Sequence, residues 1–141
     1  VKEQSVGRVL GLDVGDVRIG VALSDLLMIT AQGVETYKRV DEKADIEYFC
    51  DMMDKYGVDT LVVGLPKNMN GTLGEQAEKV QEFAEKLKEA SGRRLVYWDE
   101  RLTTKSAHKT LLEADMIRKK RKAVVDKIAA IYILQGYMDS L

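Results

Sequence analysis

The sequence predicts a mixed α/β domain. A three-strand antiparallel meander is continued by α-β-α-β and two further helices, which makes a mixed five-stranded sheet with helices on both faces. Three observations predict this. Two short apolar runs, residues 9–12 and 19–23, flank a turn holding Gly15 and Asp16, the pattern of a hairpin. Residues 59–65, DTLVVGL, form a continuous apolar run, as expected of a strand enclosed on both faces of a parallel sheet. Stretches with helical spacing of apolar residues lie on either side of that run, which calls for right-handed crossovers between parallel strands.

Each element has its own signal. Residues 1–7 read as a lead-in to the hairpin, and 31–40 suit a third strand, with Val34, Thr36 and Tyr37 supplying β propensity. Asp41 offers an N-cap, Ile46, Phe49, Cys50 and Met53 recur at helical spacing, and Gly57 ends that helix. Cys50 is therefore expected in the core. After the strand at 59–65 comes a loop, PKNMNG (66–71), and Thr72 with Glu75 matches a capping box, so a helix is expected to begin there. Ala77, Val80, Phe83, Ala84 and Leu87 make its inner stripe, and Gly92 stands where a C-terminal glycine belongs. Residues 94–98, RLVYW, form the fifth strand, with Tyr97 and Trp98 expected in the core. Thr103 or Thr104 then caps a helix to about residue 114, the basic run 118–122 follows as a loop, and a last helix spans about 123–138.

Composition narrows the function classes. The 141 residues, 45% hydrophobic and 32% charged, suit one soluble globular domain spanning 1–141. A net charge of −1 gives no global positive field, so a polyanionic partner has to be met by a local patch. Arg118-Lys119-Lys120-Arg121-Lys122 is such a patch. One cysteine, Cys50, cannot form an internal disulfide, which suits a reducing compartment. No apolar run approaches membrane-spanning length, and VKEQSVGR has no signal-peptide core. A cytoplasmic protein with no membrane partner is expected.

The topology brings acids to one edge. Parallel strands end at the same side of a sheet, and ligands of open α/β sheets bind outside those carboxyl ends. Asp13 ends the first strand, the loop 66–71 leaves the fourth, and Asp99-Glu100 leaves the fifth. Asp13 either caps a turn through a nearby backbone N–H or waits in an enclosed strand for a cation. Side chains alternate along a strand, so either Asp99 or Glu100 looks toward Asp13. Asp126 shares a helix face with Ala129, Ala130 and Ile133, although the helix dipole alone would also favour an acid there. Three carboxylates on one edge call for a hard cation, Mg²⁺ or Mn²⁺, whereas one Cys and one His offer no zinc site. Two such ions about 3.5–4 Å apart are a standard apparatus for cutting a phosphodiester.

Four blocks carry a resemblance: GLDVGDVRIGVA (11–22), VVGLPKNMNGT (62–72), DERLTT (99–104) and DKIAA (126–130). With these in this order the chain resembles the YqgF family over about residues 8–138, a family described as pre-16S rRNA nucleases and Holliday junction resolvases. The resemblance implies a ribonuclease-H-like fold, a metal-dependent nuclease, and Asp13, Glu100 and Asp126 as metal-binding catalytic acids, with Glu100 chosen over Asp99. It implies structured RNA or branched DNA as partner. Asn70 stands where the family more often has an acid, which points to altered loop contacts rather than lost chemistry. Arg18, Lys67, Asn68 and Arg101 lie near the proposed edge and, with Arg118 and Lys119 of the basic run, are candidates to hold phosphates. His108 reads as a surface or structural residue.

Other functions fit less well. A non-catalytic nucleic-acid adaptor of the same fold would bind through the basic run and need no metal. A sugar-kinase or actin-like ATPase needs a second lobe, for which 141 residues leave little room. Resolving a symmetric four-way junction would require a homodimer, whereas trimming RNA can be done by a monomer.

Overall fold

In the computed structural model the described residues are 7–25, 27, 29–66, 71, 73–99 and 118–141, the last stretch with side chains from 127 onward. The strands are β1 (Arg8–Val14), β2 (Arg18–Ser24), β3 (Ala31–Lys38), β4 (Val58–Leu65) and β5 (Arg94–Asp99), and the helices are α1 (Glu42–Tyr56), α2 (Glu75–Ser91) and α3 (Arg118–Asp139). They form one five-stranded sheet in the order β3-β2-β1-β4-β5. β1–β2 and β2–β3 are antiparallel, and β1–β4 and β4–β5 are parallel. β1 thus lies at the centre, paired on both sides.

Alternation along the strands divides the interior into two cores. Leu10, Leu12, Ile19, Val21, Leu61 and Val63 face α1 and α2, where they meet Phe49, Met53, Phe83 and Leu87. Val9, Ala22 and Val62 face the other way and are covered by Ala130, Ile133, Leu134 and Tyr137 of α3. The expected inner stripe of α2 is fully recovered, since Ala77, Val80, Phe83, Ala84 and Leu87 are all buried. α1 is capped as expected. The Asp41 side chain accepts from the Ala44 N–H, and Gly57 closes the helix in the left-handed conformation at φ 65°.

Four expectations need correction. α2 begins at Glu75 with Gly74 as N-cap and no side-chain cap bond, so the Thr72–Glu75 capping box does not start this helix; Thr72 itself lies outside the described residues. Glu75 and Glu78 in the first turn offset the exposed N–H groups through the helix dipole. The basic run is helix rather than loop, because α3 starts at Arg118. Lys and Arg are good helix formers, and no Gly or Pro interrupts RKKRKAVVDK. Tyr97 and Trp98 are half-buried, because β5 is an edge strand with a neighbour on one side only. Cys50 is half-buried at the rim of the core, and Met52 takes a deeper place. Among the described residues no helix is long and apolar enough to cross a membrane.

Candidate active site

Asp13 stands on the face of the sheet that α3 covers. Val9 packs against α3, and at Gly11 an added Cβ would lie 2.8 Å from the Leu134 Cβ and 3.3 Å from the Ala130 carbonyl oxygen. Asp13 continues that alternation and is half-buried, whereas Leu10, Leu12 and Val14 point to α1 and α2. The residue paired with Asp13 on β2 is Gly20, and on β4 Gly64 follows the Val63 that pairs with Leu12. Both in-register neighbours of Asp13 are therefore glycines. A carboxylate at the end of a strand suits a hard divalent ion such as Mg²⁺ or Mn²⁺, which keeps some of its waters.

The direction of α3 sets what stands opposite. Lys127 and Ile131 lie over Gly33, whereas the Gln135 side chain accepts from the Ala31 N–H at 2.9 Å. α3 therefore runs against β3, and so against β1, with its N-terminal part toward the carboxyl edge of the sheet. Position 126 precedes Ala130 by one turn, about 6 Å of helix. Asp13 lies two residues beyond Gly11, about 6.6 Å of strand. These steps are nearly equal, so the backbone brings position 126 level with Asp13.

The close approach at Gly11 makes a test. Gly11→Val is expected to push α3 away from β1 and cost about 1–3 kcal/mol through overpacking, read from chemical denaturation. A variant as stable as wild type would show that the helix can shift freely there.

β5 bears on the choice between Asp99 and Glu100. Trp98 packs toward α3 and Tyr97 toward α2, so alternation sets Asp99 on the side away from Asp13. Arg18 is placed well. Its neighbour Ile19 faces α1 and α2, which turns Arg18 to the α3 face at the Asp13 end of β2. Arg118, Lys119 and Asp126 belong to α3, of which only the backbone is described at those positions. Glu100, Arg101, Lys67, Asn68, Asn70 and His108 lie outside the described residues. Among the described residues no three metal-capable side chains gather.

One feature of the site's frame escaped the sequence reading. Asp45 is fully buried at the start of α1, and its carboxylate accepts from Tyr37 Oη at 2.8 Å, Val40 N at 3.0 Å and Arg39 Nε at 2.9 Å. Arg39 also donates through Nη1 to the Gly15 carbonyl at 3.0 Å, and its backbone N–H donates to the Val17 carbonyl. Its guanidinium lies over the Phe83 ring, 4.7 Å from the centroid. The turn just after Asp13 is thus tied to both α1 and α2. Burial pushes the Asp45 carboxyl up, but bonds from Val40, Arg39 and Tyr37 outweigh it and hold the pKa below the usual value. The Tyr37 phenol is raised to about 12, first by burial and then by its bond to Asp45. The signal was available: positions 45, 49, 52 and 53 follow helical spacing and are all buried.

Comparison with known proteins adds a family. Residues 7–140 match a family model described as RuvX, Holliday junction resolvase. A Clostridium tetani protein, provisionally named a pre-16S rRNA nuclease, is 60% identical over 134 residues, covering 95% of this chain and 97% of the relative. A Clostridium acetobutylicum protein of the same provisional name is 56% identical, covering 95% and 99%. Among solved structures, T. thermophilus RuvC in complex with a Holliday junction substrate aligns with a TM-score of 0.62 at 11% identity, covering 96% of each chain. Fowlpox virus resolvase bound to Holliday junction DNA aligns at 0.58 and 13% identity, covering 94% of this chain and 97% of the other. At such identities these likenesses establish the fold, and they agree with the ribonuclease-H-like arrangement expected from the sequence.

Proposed function

Because this chain belongs to the RuvX family, the YqgF family of the sequence resemblance, we propose that it is a metal-dependent nuclease. It hydrolyses phosphodiester bonds at the 5′ end of precursor 16S rRNA, a cytoplasmic step in ribosome biogenesis. The observation that carries this reading is Asp13 on the central strand, facing α3 with position 126 level with it.

Asp13, Glu100 and Asp126 would hold Mg²⁺ or Mn²⁺. Bound there, a divalent ion supplies an activated water at neutral pH and offsets charge developing on the phosphate oxygens. The chain does the rest by placement. β1, paired on both sides, fixes the Asp13 backbone, so little reorganisation is needed when substrate arrives. Arg18, at the same end of β2, offers a guanidinium to a phosphate oxygen. Asp99 is left out of the acid set by the alternation of β5, which favours Glu100 as the third donor.

A second reading, Holliday junction resolvase, is favoured by the description of the matching family. One assay separates the two. The protein is incubated with Mn²⁺ or Mg²⁺ and two substrates: an RNA spanning the mature 5′ end of 16S rRNA, and a synthetic four-way DNA junction. Metal-dependent cutting at the rRNA end is expected. Paired symmetric nicks in the junction alone would replace the first reading by the second, and no cleavage of either would leave a binding adaptor.

A further inference from the structure

β3 is the outermost strand of the sheet, and a cleft of about 340 Å³ opens between it and α1. Small-molecule sites begin at about that size, roughly 300–1,000 Å³. A bulge shapes the strand wall. Val21 pairs with Glu35 and Ala22 with Gly33, so Val34 is an extra residue in β3. Val21 faces α1 and α2, which turns Glu35 the same way, and Val34 packs on that core too. Two successive side chains of β3 therefore line the cleft. The other wall is one face of α1, where Tyr48, Asp51, Met52, Lys55 and Tyr56 recur at helical spacing.

The polar groups of the cleft follow an order. Tyr48 Oη donates to Glu35 Oε2, and burial followed by this bond raises the phenol to about 12, so its proton stays in place at neutral pH. A carboxylate keeps further acceptor lone pairs beyond the one that Tyr48 uses. Tyr48 is stacked on Tyr37 with centroids 4.4 Å apart, and Phe49 lies 5.2 and 5.3 Å from the two rings, hence at the edge of the pair. The outer face of Tyr48 is covered by neither ring. Asp51 comes about 4.5 Å further along α1, and Lys55 about 6 Å beyond that. Lys55 Nζ lies 5.3 Å from the centroid of the Tyr56 ring and the Arg8 guanidinium 5.7 Å from it, so positive charge gathers at this end. Among the described residues no ion pair reaches Glu35, Asp51 or Lys55.

We propose that this cleft binds a guanine ribonucleotide, with the base on Tyr48, the ribose beside Asp51 and the phosphate at Lys55, over a floor of Val34 and Met52. The order ring, carboxylate, cation along α1 matches the order base, ribose, phosphate. An aromatic face stacks a base, a glutamate accepts from base N–H groups, and an acid bonds ribose hydroxyls. Guanine offers two adjacent donors, N1–H and the N2 amino group, to the two oxygens of Glu35. Uracil offers one N–H between two carbonyls, which a carboxylate repels. The cleft lies on the α1 side of the sheet, whereas Asp13 faces α3, so the site is separate from the proposed acids and does not depend on the nuclease reading.

Amide NMR titrations without added metal test this with GMP, IMP, UMP, guanosine and the trinucleotide UpGpU. GMP should shift the amides of Val34, Glu35, Tyr48, Asp51 and Lys55. IMP, which lacks the N2 amino group, should bind several-fold more weakly, and UMP most weakly of the three. Glu35→Gln should weaken GMP by about tenfold, the loss of a hydrogen bond to a charged group, and narrow its advantage over IMP. Lys55→Gln should weaken GMP but not guanosine; Lys55 is exposed, so this variant decides even where Glu35→Gln does not fold. Glu89→Gln, an exposed acid on α2, should bind as wild type does. UpGpU binding more tightly than GMP assigns the site to a guanosine within an RNA strand, and GMP binding at least as tightly assigns it to the free nucleotide. Shifts centred elsewhere, no shift with any ligand, UMP equal to GMP, or wild-type GMP affinity in both Glu35→Gln and Lys55→Gln would overturn the proposal.

Discussion

Asp13→Asn is expected to fold and melt as wild type does while losing metal-dependent cleavage by at least about a thousandfold. The two side chains are nearly the same shape, and Asp13 is half-buried at the end of a strand rather than packed in either core. Nothing in the hydrophobic packing changes. What changes is a full negative charge at the place where the proposed acids converge. A divalent ion contributes several kcal/mol of transition-state charge stabilisation, and each 1.4 kcal/mol lost is about tenfold in rate, which gives the thousandfold figure. Thermal melts, Mn²⁺ titration by calorimetry and single-turnover cleavage check the three parts separately. Binding of the RNA in the absence of metal should persist, because Arg18 and the basic run of α3 are untouched. Cutting at the native rate by this variant would remove Asp13 from the chemistry and leave the three-acid reading without its central member.

Local signals in the sequence were read where a short period decides the outcome. All five stripe residues of α2 are buried, and Gly57 and Gly92 close their helices, because helical spacing and a left-handed glycine each act within a few residues. The central position of β1 and the parallel β1–β4–β5 pairing followed from crossover rules. The errors came where distant partners decide. A hydroxyl three residues before Glu75 promised a cap, but the chain enters α2 through Gly74. A run of five cations read as a loop, yet once α3 is anchored on the sheet by Ala130 and Leu134, helix extends through it. Asp45 was passed over because a charge on an apolar stripe reads as the polar side of the helix. Its partners Tyr37, Arg39 and Val40 belong to another element, and only the tertiary fold brings them together. The candidate acids share this difficulty. Alternation on β1 and the direction of α3 bring positions 13 and 126 level, and neither is a property of the segment that carries the acid.

Asp45→Ala is expected to cost about 3–5 kcal/mol, the largest stability loss of any single polar substitution proposed for this chain. Removing the carboxylate strands an Arg39 guanidinium whose side chain is 20% exposed, and leaves the Tyr37 hydroxyl and the Val40 N–H without their acceptor. Replacing both partners, as in Asp45→Leu/Arg39→Met, should be less damaging than Asp45→Ala alone, because no unpaired charge then remains in the interior. The pH dependence has a definite sign. The folded carboxyl titrates below its usual value of 3.8, so its contribution is fully present above about pH 4 and fades as pH falls through the lower folded pKa. Wild type should therefore lose stability steeply on the acid side, and Asp45→Asn should flatten that limb in denaturation curves taken from pH 2 to 7. Because Arg39 also bonds the Gly15 carbonyl, loss of Asp45 frees the turn that follows Asp13. Mn²⁺ affinity should fall with stability in Asp45→Ala even though position 45 lies on the far side of the sheet. An affinity equal to wild type, in a variant destabilised by several kcal/mol, would show that the Asp13 turn keeps its geometry without this brace.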